Sequence, residues 1–225
     1  MANREEITAD EVEFAKQNPY WDLGNEVLYR LCREYPRHTE KAAIIAKIWL
    51  IGRSYAAAIE RRKPVKGIPE EVTSDEFYEE IVAKRLWTSE IDGQLERISD
   101  VAASVNFHES VKVHQWLMKQ FNSMTGLNNR SLASKYLHFH KPNAFFIYDS
   151  RASRAISRII PDDANIPALD CSNADKEYSS FVRKCLWLRE QHKELETPRQ
   201  VDNLLLAVSK RITKAKIKHP HGCLN

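Results

Sequence analysis

The sequence predicts an all-α fold: a multi-helix globular protein of about nine or ten helices. Three observations carry that expectation. Apolar residues recur at helical spacing almost everywhere along the 225 residues. No stretch alternates apolar and polar residues for more than a few positions, as a half-buried strand would. Only six glycines occur, too few for an all-β fold built on many tight turns. A hydrophobic content of 43% and a charged content of 29% suit a globular chain with one sizeable core or two small helical lobes.

"TADEVEFAKQ" opens with the capping box Thr8 and Glu11, so a helix begins at once. "WDLGNEVLYRLCREYP" gives a second, stopped near Pro36. Thr39 opens a long third helix through "EKAAIIAKIWLIGRSYAAAIERR", and "KPVKGIP" (63–69) is a loop and the best candidate for a boundary between lobes. Helices are expected near 75–86, 89–98 and 108–123, then around 130–140 and 150–160. The loop "PDDANIPALDCSN" leads to a helix over 174–195, and Thr197-Pro198 starts the last one. The chain thus reads as one all-α unit over 1–225, with a basic tail over 210–225.

No apolar run approaches bilayer length, since "AAIIA" (42–46) is broken by Lys47. "MANREEITADE" lacks the basic and apolar regions of a signal peptide, so a cytoplasmic location is expected. Cys32, Cys171, Cys185 and Cys223 are scattered without a CxxC pair, which argues for packed thiols rather than a metal site. "HFH" (138–140) is a poor metal site as well, because alternate residues of a helix point apart. Asp162 and Asp163 lack a third ligand for a metal nuclease, and no nucleophile elbow suggests a Ser or Cys hydrolase. No cofactor is implied.

Net charge is only +3, but its distribution is uneven. Residues 130–160 hold six bases and a single acid, Asp149, and "KRITKAKIKHPH" adds five more bases. Such asymmetry suits a polyanion on one side of the molecule. Arg53 is a smaller oddity, a charge inside "IWLIGRSYAAAI" that should find a partner, line a polar pocket or snorkel to the surface.

The chemistry-bearing residues concentrate in "SLASKYLHFHKPNAFFIYDSRASRA" (131–155). On a helix, Ser131, Ser134, Lys135 and His138 fall on one side, while Leu132, Ala133, Tyr136, Leu137 and His140 fall on the other. "PNAFF" connects to Asp149, placed to cap the next helix. That helix buries Ala152, Ala155, Ile156 and Ile159 and carries the basic row Arg151, Arg154 and Arg158. Two ordinary helices with polar ends would account for much of this.

The flanking pattern points further. "FHESVKVHQWLMKQF" is followed by the hairpin "NSMTGLNNR" and then by the helix of Ser131. "MTGLNNRSLAS" resembles the hairpin and helix start of the helix-hairpin-helix (HhH-GPD) DNA glycosylase superfamily, and "FFIYDSRA" resembles the family's aspartate segment. The family's hairpin reads roughly L-P-G-V-G-[RK]-x, followed by a catalytic Lys or Ser, with an acid 18 positions later. Ser131 and Asp149 are 18 residues apart. The likeness covers about 109–155. This hairpin is one residue longer, Asn128 or Asn129 replaces the second glycine, and the four-cysteine cluster of some members is missing.

What the resemblance implies is a DNA N-glycosylase: an enzyme of base excision and DNA repair that flips a damaged, mismatched or modified base from double-stranded DNA and excises it. Asp149 would stabilise the oxocarbenium-like transition state, with Ser131 and Lys135 beside it. Ser131 at the family's lysine position favours a monofunctional enzyme over a lyase. Gly126, Asn128, Asn129 and Arg130 of the hairpin, with Arg151, Arg154 and Arg158, would hold phosphates. His138, Tyr136, Tyr148 and Arg53 are candidates for the pocket, and Trp116 is another available aromatic. Two other readings stay open on the residues alone. One is a non-catalytic helical nucleic-acid-binding protein; the other is a regulatory or phage-defence protein without a nucleic-acid role.

Overall fold

The computed structural model describes residues 4–17 and 20–218. It is built of helices, and no strand occurs among the described residues. Thr8 caps α1 (Ala9–Lys16) with the expected box: its side chain accepts from the Glu11 amide, and Glu11 reaches back to the Thr8 amide. α2 (Asp22–Glu34) ends just before Pro36. α3 (Lys41–Ser54) is followed by a helical run, α4, that is α-helical at Ser74–Glu76, π-helical over Phe77–Val82 and α-helical again over Ala83–Trp87. α5 (Ile91–Glu96) and a 3₁₀ turn at Ala102–Ser104 lead to α6 (Phe107–Thr125). α7 (Arg130–His140), α8 (Ser150–Ile159), α9 (Lys176–Gln191) and α10 (Pro198–Lys218) complete the chain.

Two hydrophobic clusters hold these helices. The first joins Leu28, Ile48, Phe77, Leu117, Phe121 and Leu137, so it spans α2 to α7. The second joins Val111, Phe146, Ile156, Phe181 and Leu204, drawing on α6 and α8–α10, with Ala15 of α1 added. α6 feeds both, with Val111 on one side and Val113 on the other. The 63–69 loop does not part them, since Ile59 before it and Phe77 after it share the first cluster.

Two expectations need correction. The third helix does not run through "SYAAAIERR". It stops at Ser54, Ala56 takes a left-handed φ of 51°, and the Ala57 amide donates to the Gly52 carbonyl at 2.8 Å. A Cβ on Gly52 would lie 3.3 Å from Ala58 Cα, so the chain folds back closely over this glycine. The segment from Lys210 to Lys218 is not a tail but the second half of α10, anchored by buried Val208 and half-buried Ile212. The rest of the expected basic tail, 219–225, lies outside the described residues.

Candidate functional site

The polar face of α7 is turned inward rather than toward water. Ser134, Lys135 and His138 are all buried. Each is satisfied by a group from elsewhere in the chain, as burial demands. Ser134 Oγ donates to the Ser131 carbonyl at 2.9 Å and accepts the Tyr148 amide at 3.0 Å. That second bond fixes the segment leading to Asp149, and so sets Asp149 beside the start of α7.

Asp149 caps α8. Its Oδ1 accepts the amides of Arg151 and Ala152, both at 2.8 Å, while Oδ2 lies 3.7 Å from the Arg151 guanidinium. The side chain is 17% exposed. Lys135, only 2% exposed, donates to Ser131 Oγ at 2.7 Å and approaches the Tyr55 carbonyl at 3.4 Å. Burial pushes the Lys135 ammonium pKa down, and the charges of Asp149 and Asp202 act against that shift. Ser131 and Lys135 are therefore bonded to one another, and Asp149 is near enough for its charge to act on Lys135.

Beside them lies a cleft of about 1300 Å³. Its walls come from α1 and α2 (Phe14, Trp21, Asn25), the end of α3 (Tyr55) and α10 (Arg199, Asp202), and Arg151 of α8 joins them. Tyr55 donates to Asn25 Oδ1 at 2.6 Å. Arg199 sits among the rings of Tyr29, Tyr55 and Phe139, 5.4–5.7 Å from each centroid, and its NH1 reaches Asp202 Oδ2 at 3.1 Å. Asp202 is 3% exposed. Burial pushes its carboxyl up to about 6, against the pull of Arg199, and the neighbouring Asp149 charge adds to the rise.

Not every expected residue reaches this site. His138 is wedged behind the cleft, its Nδ1 donating to the Phe145 carbonyl at 2.8 Å and its Nε2 accepting from Tyr29 at 2.6 Å. Tyr29 in turn accepts from Arg199 Nε at 3.0 Å, so His138 steadies Arg199 from a distance. Tyr136 is fully buried and donates to His38 Nε2 at 2.7 Å. Tyr148 is turned toward Glu177, which accepts its hydroxyl. Arg53 points outward, 55% exposed and paired with Glu60, because α3 ends there. None of the four lines the cleft, and neither do Ser131, Lys135 and Asp149, which meet its wall through Tyr55 and Arg151.

The 126–129 turn is closed on itself. Gly126 ends α6 at a left-handed φ of 64°, and its amide and those of Leu127, Asn129 and Arg130 already donate to groups within 122–128. Asn128 accepts from Asn122, and Asn129 donates to Thr125 Oγ1. The Lys63 amide caps the turn from outside by donating to the Thr125 carbonyl. Arg130 is held between Asp175 and Glu177 at 2.5 and 2.8 Å. These groups are thus committed internally, whereas Arg151, Arg154 and Arg158 are exposed on α8. Arg154 Nε bonds the Ser150 carbonyl of its own helix, and Arg158 lies 4.0 Å from Glu5.

Asp202, Arg199 and Tyr55 are the site residues that sequence reasoning missed. The one available signal was an acid inside the apolar half of "PRQVDNLLLAV", three residues after an arginine. No group of three or more potential metal ligands occurs among the described residues, and no helix there is long and apolar enough to cross a membrane. Cys32, Cys171 and Cys185 are free thiols. No family model, curated protein or solved structure matches this chain significantly.

Proposed function

We propose that the chain is a DNA N-glycosylase-like enzyme, in which a base enters the cleft and Asp149 faces the sugar from which it is cut. The observation that carries this reading is the bonded Ser131–Lys135 pair, with Asp149 near it, beside a cleft large enough for a nucleotide. Breaking an N-glycosidic bond develops positive charge on the sugar, and a fixed carboxylate nearby lowers that barrier. Asp149 is fixed by two amides on Oδ1, and Oδ2 lies 3.7 Å from the Arg151 guanidinium. The same carboxylate can take the proton of the attacking water. The aromatic residues Trp21 and Tyr55 on the cleft walls give a flipped base faces to stack on.

Lys135 has an assisting role in this reading. Its ammonium is spent on Ser131 and lies 5.5 Å from the Tyr55 ring centroid, so it orders the serine and adds positive charge beside the carboxylate. The enzyme is therefore monofunctional. The exposed cations of α8, with Lys210 and Lys214 at the cleft, supply the phosphate contacts.

The test is base release from a panel of duplexes bearing modified bases, scored as abasic sites by alkaline cleavage. Asp149→Asn keeps the cap acceptor and removes the charge. It should leave folding and DNA affinity nearly intact and slow base release by about 100-fold or more. Base release that survives Asp149→Asn but is lost in Lys135→Ala, together with borohydride trapping, would reverse the two roles. If no base is released from any duplex, Asp149 is a helix cap and nothing more.

A further inference from the structure

We propose that Asp202 is a second catalytic carboxyl, the acid that gives its proton to the departing base. The proposal rests on the glycosylase reading above and adds the leaving-group half of the reaction. Asp202 lines the cleft and is nearly withdrawn from water, held at one oxygen by Arg199. Arg151, 3.7 Å from Asp149 Oδ2, lines the same cleft, and the Asp149 charge acts on Asp202.

The two carboxyls have opposite environments. Asp149 receives two backbone N–H groups at a helix N-terminus, an arrangement that suits a charge stabiliser. Asp202 sits in the first turns of α10, where no backbone N–H donates to its side chain among the bonds described, and burial favours its neutral form. Two carboxyls whose environments push them apart are how one site performs acid and base work together.

Every charged or titratable neighbour of Asp202 bears on this. Arg199 of α10, Lys135 of α7 and Arg151 of α8 favour the charged form, and Asp149 opposes it. Tyr29 of α2, Tyr55 after α3 and Cys185 of α9 also feel the Asp202 charge. The balance leaves a carboxyl pushed up to about 6, protonated in part near neutrality and able to regain its proton between turnovers.

The C1′–N bond breaks and its electron pair goes to the base. The Asp202 O–H gives its proton to a ring nitrogen of that base, which leaves neutral. Water adds to C1′ opposite the departing base, and its spare proton passes to Asp149 and then to solvent. Asp202 takes a proton back from solvent.

A base that is already cationic needs no such proton, and that separates an acid from a mere counter-ion of Arg199. The probes are matched duplexes carrying one hypoxanthine, a neutral leaving base, or one 7-methylguanine, a cationic one, under single-turnover conditions. Asp202→Asn keeps an acceptor for Arg199. It should slow hypoxanthine release by about 100-fold and 7-methylguanine release by no more than about threefold. In the unaltered protein, hypoxanthine release should fall about tenfold per pH unit above the Asp202 titration, while 7-methylguanine release does not follow that limb. The wild-type profile stands even if the variant folds poorly. Equal slowing of both substrates, or no slowing, together with parallel pH profiles, overturns the proposal and makes Asp202 structural. Selective slowing by Asp202→Asn alongside an indifferent Asp149→Asn would sink the assigned role of Asp149 instead. Release of neither base by the unaltered protein overturns the Asp202 proposal, and the glycosylase reading then stands or falls on the wider panel of duplexes.

Discussion

Acidification from pH 7 to pH 5 should destabilise this fold through histidines that are buried neutral. His38 and His114 are 1% and 0% exposed, and burial lowers both from 6.5 to about 4. Each has one nitrogen committed as a donor. His38 Nδ1 donates to Asp92 at 2.6 Å, and His114 Nε2 donates to the Arg130 carbonyl at 3.1 Å. Protonating the other nitrogen would bury a charge, against the Tyr136 hydroxyl in His38 and with no partner in His114. The unfolded chain takes up protons below about 6.5, whereas the folded chain does so only near 4. Stability from these groups is therefore complete above that window and is lost as pH falls through it. Each histidine accounts for roughly 2 kcal/mol between pH 7 and 5. Asp202 works the other way: its raised carboxyl binds a proton first in the folded state and returns roughly 1 kcal/mol over the same range. The net loss is then roughly 2 to 3 kcal/mol, a large part of a typical domain's stability. His138 and His140, lowered in the same direction, add to it. Urea unfolding at a series of pH values measures this directly. His114→Phe keeps a ring against Tyr178, stacked at 3.6 Å, and should flatten the pH slope by about one proton. A wild-type stability that holds or rises from pH 7 to 5, with an unchanged slope in His114→Phe, would refute the reasoning.

The turn between α6 and α7 can be tested at its glycine. Gly126→Ala places a Cβ at positive φ, 3.3 Å from Lys63 Cβ, and should cost about 1–2 kcal/mol in chemical denaturation; an alanine variant of full stability would disprove the strain. The cations should divide by their partners. A combined Arg151→Ala, Arg154→Ala and Arg158→Ala variant should reduce the salt dependence of DNA binding by about one unit per lost phosphate contact. Arg130→Met, which strips Asp175 and Glu177 of their partner, should instead cost about 2–3 kcal/mol of stability and leave the salt slope unchanged. The opposite pattern in titrations against duplex DNA would return the phosphate role to Arg130.

How much of this was legible in the sequence follows from how far apart the interacting residues lie. Helix existence was readable, because amphipathic spacing and caps such as Thr8 and Asp149 act within a few residues. The end of α3 was not. "YAAAIERR" has good helical propensity, and what stops it is the return of the backbone over Gly52. The Lys135–Ser131 bond and the Asp149 cap could be anticipated because each acts within a few residues of one helix.

Burial of the same helix face was beyond a local reading. A stripe of Ser, Lys and His looks solvent-facing until its partners are known, and these come from far away: Tyr55 is 80 residues from Lys135, and Tyr29 is 109 from His138. The same distance hid the cleft, whose walls join the first two helices to the last. An exposed cation such as Arg154 needs no partner, so its presence says little about where it points. A buried acid such as Asp202 must have its surroundings built for it, because an unpartnered charge there costs too much to keep. Buried Lys135 and Asp202 act on one another and both feel Asp149 and Arg199, with Arg199 and Asp202 lining the cleft, whereas ordinary packing of these helices would be served as well by leucine. The glycosylase proposal gives that choice of charged residues over apolar ones a reason.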